Sequence, residues 1–261
     1  MNTHPRAGGN ARLELDIRSK TFEASRGGSI EVARDLRFTV GENEFVCLTG
    51  PSGCGKTTAL RILLGLDRAF EGTVKISGAG DPRIGVVFQE PLLLPWRTVE
   101  ENVRLALPKP MRDRNLDTLF DRLGLLHLRA FYPSELSLGL ARRAALARAL
   151  VIEPDILVLD EPFVSLDEAV AQQLRHLLSS IWSLKPMSVL MVTHNLREAM
   201  LLADRVVVLS GRPAHVAGSF RVAPLRQDRS EETIDALLRA FRQMFPEGGD
   251  GWCDKADGQH G

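Results

Sequence analysis

Cysteine, tyrosine and net charge are what this sequence has least of. Its 261 residues contain three cysteines, Cys47, Cys54 and Cys253. Their odd number and the absence of metal-ligand spacing predict reduced thiols in a cytosolic compartment. Lysine plus arginine and aspartate plus glutamate are both 33, so the formal charge is zero. No global field then draws the chain to nucleic acid or to an anionic bilayer, and no nucleic-acid partner is expected. No apolar run approaches the ~20 residues that a membrane-spanning helix needs. The opening residues, MNTHPRAGGN, contain no apolar segment of secretory type, so export is not expected. Any membrane role has to come through a partner. Tyr132 is the only tyrosine.

Apolar residues make up 44% of the chain, enough to bury a sizeable core. The polar stretch 1–11 and the tail 246–261 are expected to be flexible, with one domain over 12–245 between them. Short strands are predicted near 13–17, 30–32 and 36–40, then FVCLT at 45–49, TVKIS at 73–77 and IGVVF at 84–88. A helical insert is expected over about 95–150, where Thr98 and Glu101 have capping-box spacing. Beyond it, strands 156–160, 188–193 and 205–210 alternate with helices 167–181 and 195–203. Continuous apolar strands separated by helices indicate a parallel sheet covered on both faces. The expected class is α/β, with an antiparallel β portion near the N-terminus.

The segment Gly50, Pro51, Ser52, Gly53, Cys54, Gly55, Lys56, Thr57, followed by Thr58, fits G-x-x-x-x-G-K-[ST] in full. It lies between the strand FVCLT and the helical run ALRILLGL. Glycines let the backbone curl so that successive N–H groups face phosphate oxygens, and the next helix adds its positive end. Lys56 reaches the β- and γ-phosphates, and the Thr57 hydroxyl is suited to Mg²⁺. This indicates nucleotide binding without naming the reaction.

The strand ILVL ends in Asp160, Glu161 and Pro162. Doubly wound sheets place ligands at the C-terminal edge of their strands. Asp160 suits the magnesium shell and Glu161 the attacking water; a solvated acidic turn is the other reading.

Further motifs narrow the class. Glu135-Leu-Ser137-Leu-Gly139-Leu-Ala-Arg-Arg resembles the signature of the ABC ATPases, usually L-S-G-G-Q before a basic helix. Ser165-Leu166-Asp167 resembles the family's D-loop, Gln89 its Q-loop and His194 its switch histidine. The likeness covers roughly 13–220. It implies a P-loop ABC ATPase core with a helical signature subdomain, working as a dimer, the homodimer being the simplest form. ATP would lie between the phosphate loop of one copy and Ser137 and Gly139 of the other. It implies Gln89 on the magnesium shell, His194 on the γ-phosphate and Asp167 at the dimer seam. Leu138 and Leu140 depart from the signature, where the family has glycine and glutamine.

Family members stack an aromatic residue on adenine; Phe22 lies at the matching distance, and a core phenylalanine is the alternative. The stretch from Gln89 through Trp96 to Val103, with Tyr132-Pro-Ser-Glu135, looks like the importer branch that handles nitrate, sulfonates and taurine. That branch implies ATP and Mg²⁺, an integral membrane permease, a solute-binding protein, and a peripheral place on the cytoplasmic face of the inner membrane. Leu92, Leu93, Leu94, Pro95 and Trp96 read either as a pad receiving the permease or as core packing. Two other classes compete: a soluble ABC protein acting on ribosomes or in DNA repair, and a P-loop small-molecule kinase. The single cassette with a short insert argues against the first, and Ser137-x-Gly139 before an arginine-bearing helix against the second.

Overall fold

The computed structural model describes residues 11–23, 28–78 and 80–246. The expected flexible ends, except Ala11 and Pro246, and Cys253 lie outside the described residues. In chain order the strands and helices are β1 (Arg12–Glu23), β2 (Ser29–Val40), β3 (Phe45–Thr49), α1 (Lys56–Leu63), β4 (Glu71–Ser77), β5 (Ile84–Val87), α2 (Val99–Arg104) and α3 (Asp117–Arg122). They continue with α4 (Leu138–Leu150), β6 (Ile156–Asp160), α5 (Glu168–Leu184), β7 (Ser188–Val192), α6 (Leu196–Leu202), β8 (Arg205–Ser210), β9 (His215–Arg221) and α7 (Glu231–Met244). The described residues form two compact units, one from Gly78–Val189 with Ala11, the other from Arg12–Ser77 with residues 190–246.

The unit that carries the phosphate loop begins with a three-stranded antiparallel sheet in the order β2-β1-β4. Period-2 alternation buries Leu13, Leu15 and Ile17 on one face of β1. Their cross-strand partners are Val40, Phe38 and Leu36 on β2. The two short runs expected at 30–32 and 36–40 are one strand, because β1 pairs with β2 through both and absorbs a bulge between Lys20 and Thr21. β3, buried along its whole length, pairs in parallel with β8. β9 then returns antiparallel along β8. Neither β9 nor α7 is foreseen in the sequence. α7 buries the stripe Ile234, Leu238 and Phe241, and Phe241 meets Phe220 of β9 edge-on at 5.5 Å.

In the other unit, β5 and β6 pair in parallel, Ile84 opposite Ile156 and Val87 opposite Leu159. The expected helical segment holds α2, α3 and α4, joined by short 3-10 turns. Thr98 caps α2 through the reciprocal box with Glu101. α4 buries every residue from Ala144 to Ala147, its alanines giving neighbours close access on all sides. A β-carbon at Gly85 of β5 would stand 2.6 Å from the Ala149 carbonyl oxygen, so glycine is what lets strand and helix meet.

Two arginines converge on Glu100 of α2. Arg104 reaches its carboxylate at 2.5 Å and Arg129 at 2.7 Å, and Arg129 also pairs with Asp117. Chiefly through the Arg129 hydrogen bond, with Arg104 adding to it, the Glu100 carboxyl is held down at about 2. A folded-state pKa below that of the unfolded chain contributes stability that is full above pH ~4.5 and lost as pH falls toward 2. Glu100→Gln is therefore expected to cost about 1 kcal/mol near neutral pH and to flatten the acid limb of Tm between pH 4.5 and 2. Unfolding curves across that range check it; parallel wild-type and variant limbs would contradict it.

Candidate nucleotide site

β3 delivers the phosphate loop, and each of its glycines has a steric reason. A β-carbon at Gly50 would stand 2.6 Å from the Leu209 carbonyl oxygen and 2.8 Å from Cys54 Sγ. Gly53 has φ +72° and Gly55 φ +105°, in the left-handed region that favours glycine. Gly55 is the N-cap of α1 and brings no side-chain cap. The first N–H groups of α1, those of Lys56, Thr57 and Thr58, thus have no side-chain acceptor from the cap residue, as an anion site requires. Lys56 is buried, 8% exposed, and its Nζ donates to the carbonyls of Gly50 at 2.7 Å and Pro51 at 3.0 Å. Thr57 is exposed and Thr58 half-buried. Burial raises the Cys54 thiol pKa and keeps it neutral, as it does Cys47. Both cysteines are free, as expected.

His194 and Phe22 belong to the same unit. His194 follows β7 between two anchored residues. The Thr193 N–H donates to the Leu48 carbonyl at 3.2 Å, and its hydroxyl donates to buried Glu198 at 2.7 Å. Asn195 caps α6 by accepting from the N–H groups of Arg197 and Glu198. The Thr193–Glu198 bond holding this corner is absent from the sequence reading; a threonine five residues before a glutamate on the inner side of a helix start was its available signal. Phe22 is 45% exposed, so the core alternative does not describe it. Its ring lies 4.4 Å from Lys20 Nζ, which Asp67 and the Ala69 carbonyl hold at 2.8 Å each.

The remaining site residues lie in the other unit. β6 ends in Asp160, 7% exposed. Glu161 follows with φ +47° and Ser165 with φ +61°, conformations that are costly without glycine and concentrate at functional sites. Gln89 is exposed just after β5. Ser137 is the N-cap of α4, its Oγ accepting from the Leu140 N–H at 3.4 Å. Gly139 is buried, and a β-carbon there would stand 2.6 Å from Val170 Cγ1, so glycine has a packing reason at this position. Leu138 is 41% exposed. Asp167 caps α5, accepting from the Val170 N–H at 2.9 Å.

Arg142, which sequence reasoning passed over as one more base of the signature helix, ties this unit together. Buried at 4% exposure, it donates to the Pro162 carbonyl at 2.7 Å and approaches that of Gln89 at 3.5 Å. The loop after Gln89 is pinned twice more. Arg148 donates to the carbonyls of Leu92 and Pro91 at 2.6 and 2.8 Å. Fully buried Asn102 accepts from the Leu94 N–H and donates to the carbonyls of Leu94, Arg97 and Thr98. With its backbone held inward, the loop turns Leu92 and Trp96 out, 53% and 70% exposed. Of the two readings of this cluster, a surface pad describes these two residues.

Residues 33–164 match the family described as ABC transporter. The chain is 40% identical over 242 residues to the aliphatic sulfonates import ATP-binding protein SsuB 2 of Burkholderia lata, covering 89% of this chain and 87% of the relative. It is 39% identical to SsuB of Bacillus licheniformis, covering 89% and 94%. It is 42% identical to SsuB 1 of Pseudomonas aeruginosa, covering 81% and 89%. Among solved structures, the ATP-binding cassette MJ0796, a dimer in a post-hydrolysis state bound to ADP and phosphate, superposes with a TM-score of 0.70 at 28% identity. It covers 82% of this chain and all of that one. A complete phosphate loop, a strand-end carboxylate pair and a capped signature helix thus coincide with likeness along most of the chain, and the protein belongs to the ABC transporter family as an ATP-binding cassette.

Proposed function

We propose that the protein is the ATP-hydrolysing subunit of an importer, energising uptake of a small solute of the sulfonate, taurine or nitrate kind through a separate permease. The likeness to import ATP-binding proteins along nearly the whole chain carries this reading. Residues 12–245 act as one nucleotide-binding domain. Two copies associate, the docked pair sits at the cytoplasmic face of the membrane, and a solute-binding protein presents the solute to the permease. Among the described residues no helix is long and apolar enough to cross a membrane. The exposed Leu92 and Trp96 suit a permease contact.

The donor set fits magnesium. Thr57 offers a hydroxyl, Asp160 a carboxylate and Gln89 an amide carbonyl, all hard oxygens. Among the described residues no group of three or more His, Cys, Asp or Glu side chains could hold a metal. Magnesium, when bound, supplies charge neutralisation of the β- and γ-phosphates.

The chain's own residues do the rest. Gly50 to Thr58 wrap the phosphates with N–H groups, and Lys56 adds its ammonium. Phe22 stacks on adenine. Glu161 accepts a proton from water as the water oxygen bonds to the γ-phosphorus and the bridging bond to ADP breaks. His194 hydrogen-bonds the γ-phosphate and positions the water, and Gln89 would complete the shell of water around magnesium. From the other copy, Ser137 and the Gly139 N–H close the pocket, with Asp167 at the seam.

Shared pockets are tested by mixing copies. Lys56→Ala and Ser137→Ala chains are each expected to be inactive alone. Mixed in equal amounts, half of the dimers are hybrids with one intact pocket, so activity returns to about a quarter of wild type. No recovery in dimers shown to have exchanged subunits would defeat the shared-pocket reading.

A further inference from the structure

The end of β8 and the turn that joins it to β9 run along the phosphate loop: Gly50 faces Leu209 at the end of β8, and Gly53 and Gly55 face Arg212 and Ala214 of the turn. A β-carbon at Gly50 would stand 2.6 Å from the Leu209 carbonyl oxygen, and one at Gly55 would stand 3.0 Å from that of Ala214. A β-carbon at Gly53 would collide with Nη2 of Arg212. Arg212 Nε donates to the Gly53 carbonyl at 3.0 Å. The turn is itself held from behind. The Ala214 N–H donates to the Val32 carbonyl at 2.8 Å, and its carbonyl accepts from the Arg34 N–H at 3.0 Å. A clamp on β2 thus presents Arg212 to the loop's crest.

Two physical consequences follow. A peptide whose carbonyl is bonded by a guanidinium cannot swing freely, so the Gly53–Cys54 unit is held while its neighbours bind phosphate. The guanidinium also adds a positive charge outside the loop: Arg212 is exposed, and its bond to the loop is to a neutral carbonyl. We propose that the β8–β9 turn is part of the nucleotide-binding machinery and that Arg212 is a positioning residue, fixing the loop's crest and enlarging its attraction for polyphosphate. The inference rests on the phosphate loop holding ATP. At an order of 10 Å in water-like dielectric, one guanidinium acting on three or four phosphate charges is worth about tenfold in affinity unscreened and about fivefold at an ionic strength of about 0.01 M.

The effect should therefore scale with phosphate charge. ATP, ADP and adenosine are titrated calorimetrically, with chelator present, against wild type, Arg212→Ala and Arg212→Lys. In Arg212→Ala at an ionic strength of about 0.01 M, the Kd for ATP is expected to rise about fivefold, that for ADP less, and that for adenosine not measurably. Arg212→Lys should recover most of the loss, and raising salt should shrink the gap. In turnover, KM should rise by more than kcat falls. Wild type that binds no ATP would sink the nucleotide reading itself. Wild-type binding with an unchanged Arg212→Ala Kd would sink only the inference. So would equal weakening for all three ligands without rescue by lysine, the mark of a merely structural role.

Discussion

Glu161→Gln is expected to abolish most ATP turnover, by about 10²–10⁴-fold, while leaving ATP affinity within a few-fold of wild type. The substitution keeps the volume of the side chain and both of its polar positions but removes its capacity to take a proton. The backbone argues that this carboxylate is placed with care. Glu161 directly follows a fully buried strand and has φ +47°, a conformation costing of the order of 1 kcal/mol or more without glycine. Pro162 and Phe163 behind it are buried, and Arg142 holds the Pro162 carbonyl at 2.7 Å, so the turn cannot relax when the side chain changes. With hydrolysis blocked and binding intact, the ATP-bound dimer should accumulate. Steady-state phosphate release and size-exclusion chromatography with ATP check the two halves. Turnover near wild type would remove Glu161 from the proton-transfer step, and lost ATP binding would show that the turn had collapsed.

Lys56→Ala should weaken ATP by about 10–100-fold and abolish turnover at ordinary nucleotide concentrations, since a hydrogen bond to a charged group is worth about 1.5–3 kcal/mol. Lys56 is 8% exposed and directed into the loop, where its Nζ donates to the Gly50 and Pro51 carbonyls. An ammonium so held is moved only a short way to reach a phosphate, which keeps the ordering cost low. Arginine should not substitute. Its planar fork is larger and differently shaped, and Gly50 already has Leu209 and Cys54 within 3 Å of where a β-carbon would stand. Nucleotide titration reads the result, with Tm of the free chain as the check on folding. Wild-type ATP affinity in the alanine variant would contradict the role given to the phosphate loop.

The residues whose chemistry is local were legible in the sequence. Gly50 to Thr57 had to follow a strand and open a helix, and they do so between β3 and α1. Thr98 and Glu101 form the capping box their spacing implies. β3, β6, β7 and β8 read as buried strands because they are apolar along nearly their whole length. β9 did not, since His215 to Arg221 mixes polar residues with one glycine and is half-exposed; pairing with β8 defines it. α7 escaped notice because its apolar stripe lies in a strongly charged stretch and takes effect only against Phe220 and its surroundings.

By itself the sequence determined the family and the order of the motifs, because phosphate cradles and strand-end carboxylates need particular residue types at short spacing. Tertiary structure decided what lies behind them. It set Leu209, Arg212 and Ala214 against the glycines of the phosphate loop, Val170 against Gly139, and Arg142 against Pro162. It also turned Phe22, Leu92 and Trp96 toward solvent. Partners 20 to 160 positions apart leave no periodicity or spacing to read, and only the packing of one segment on another brings their atoms into contact.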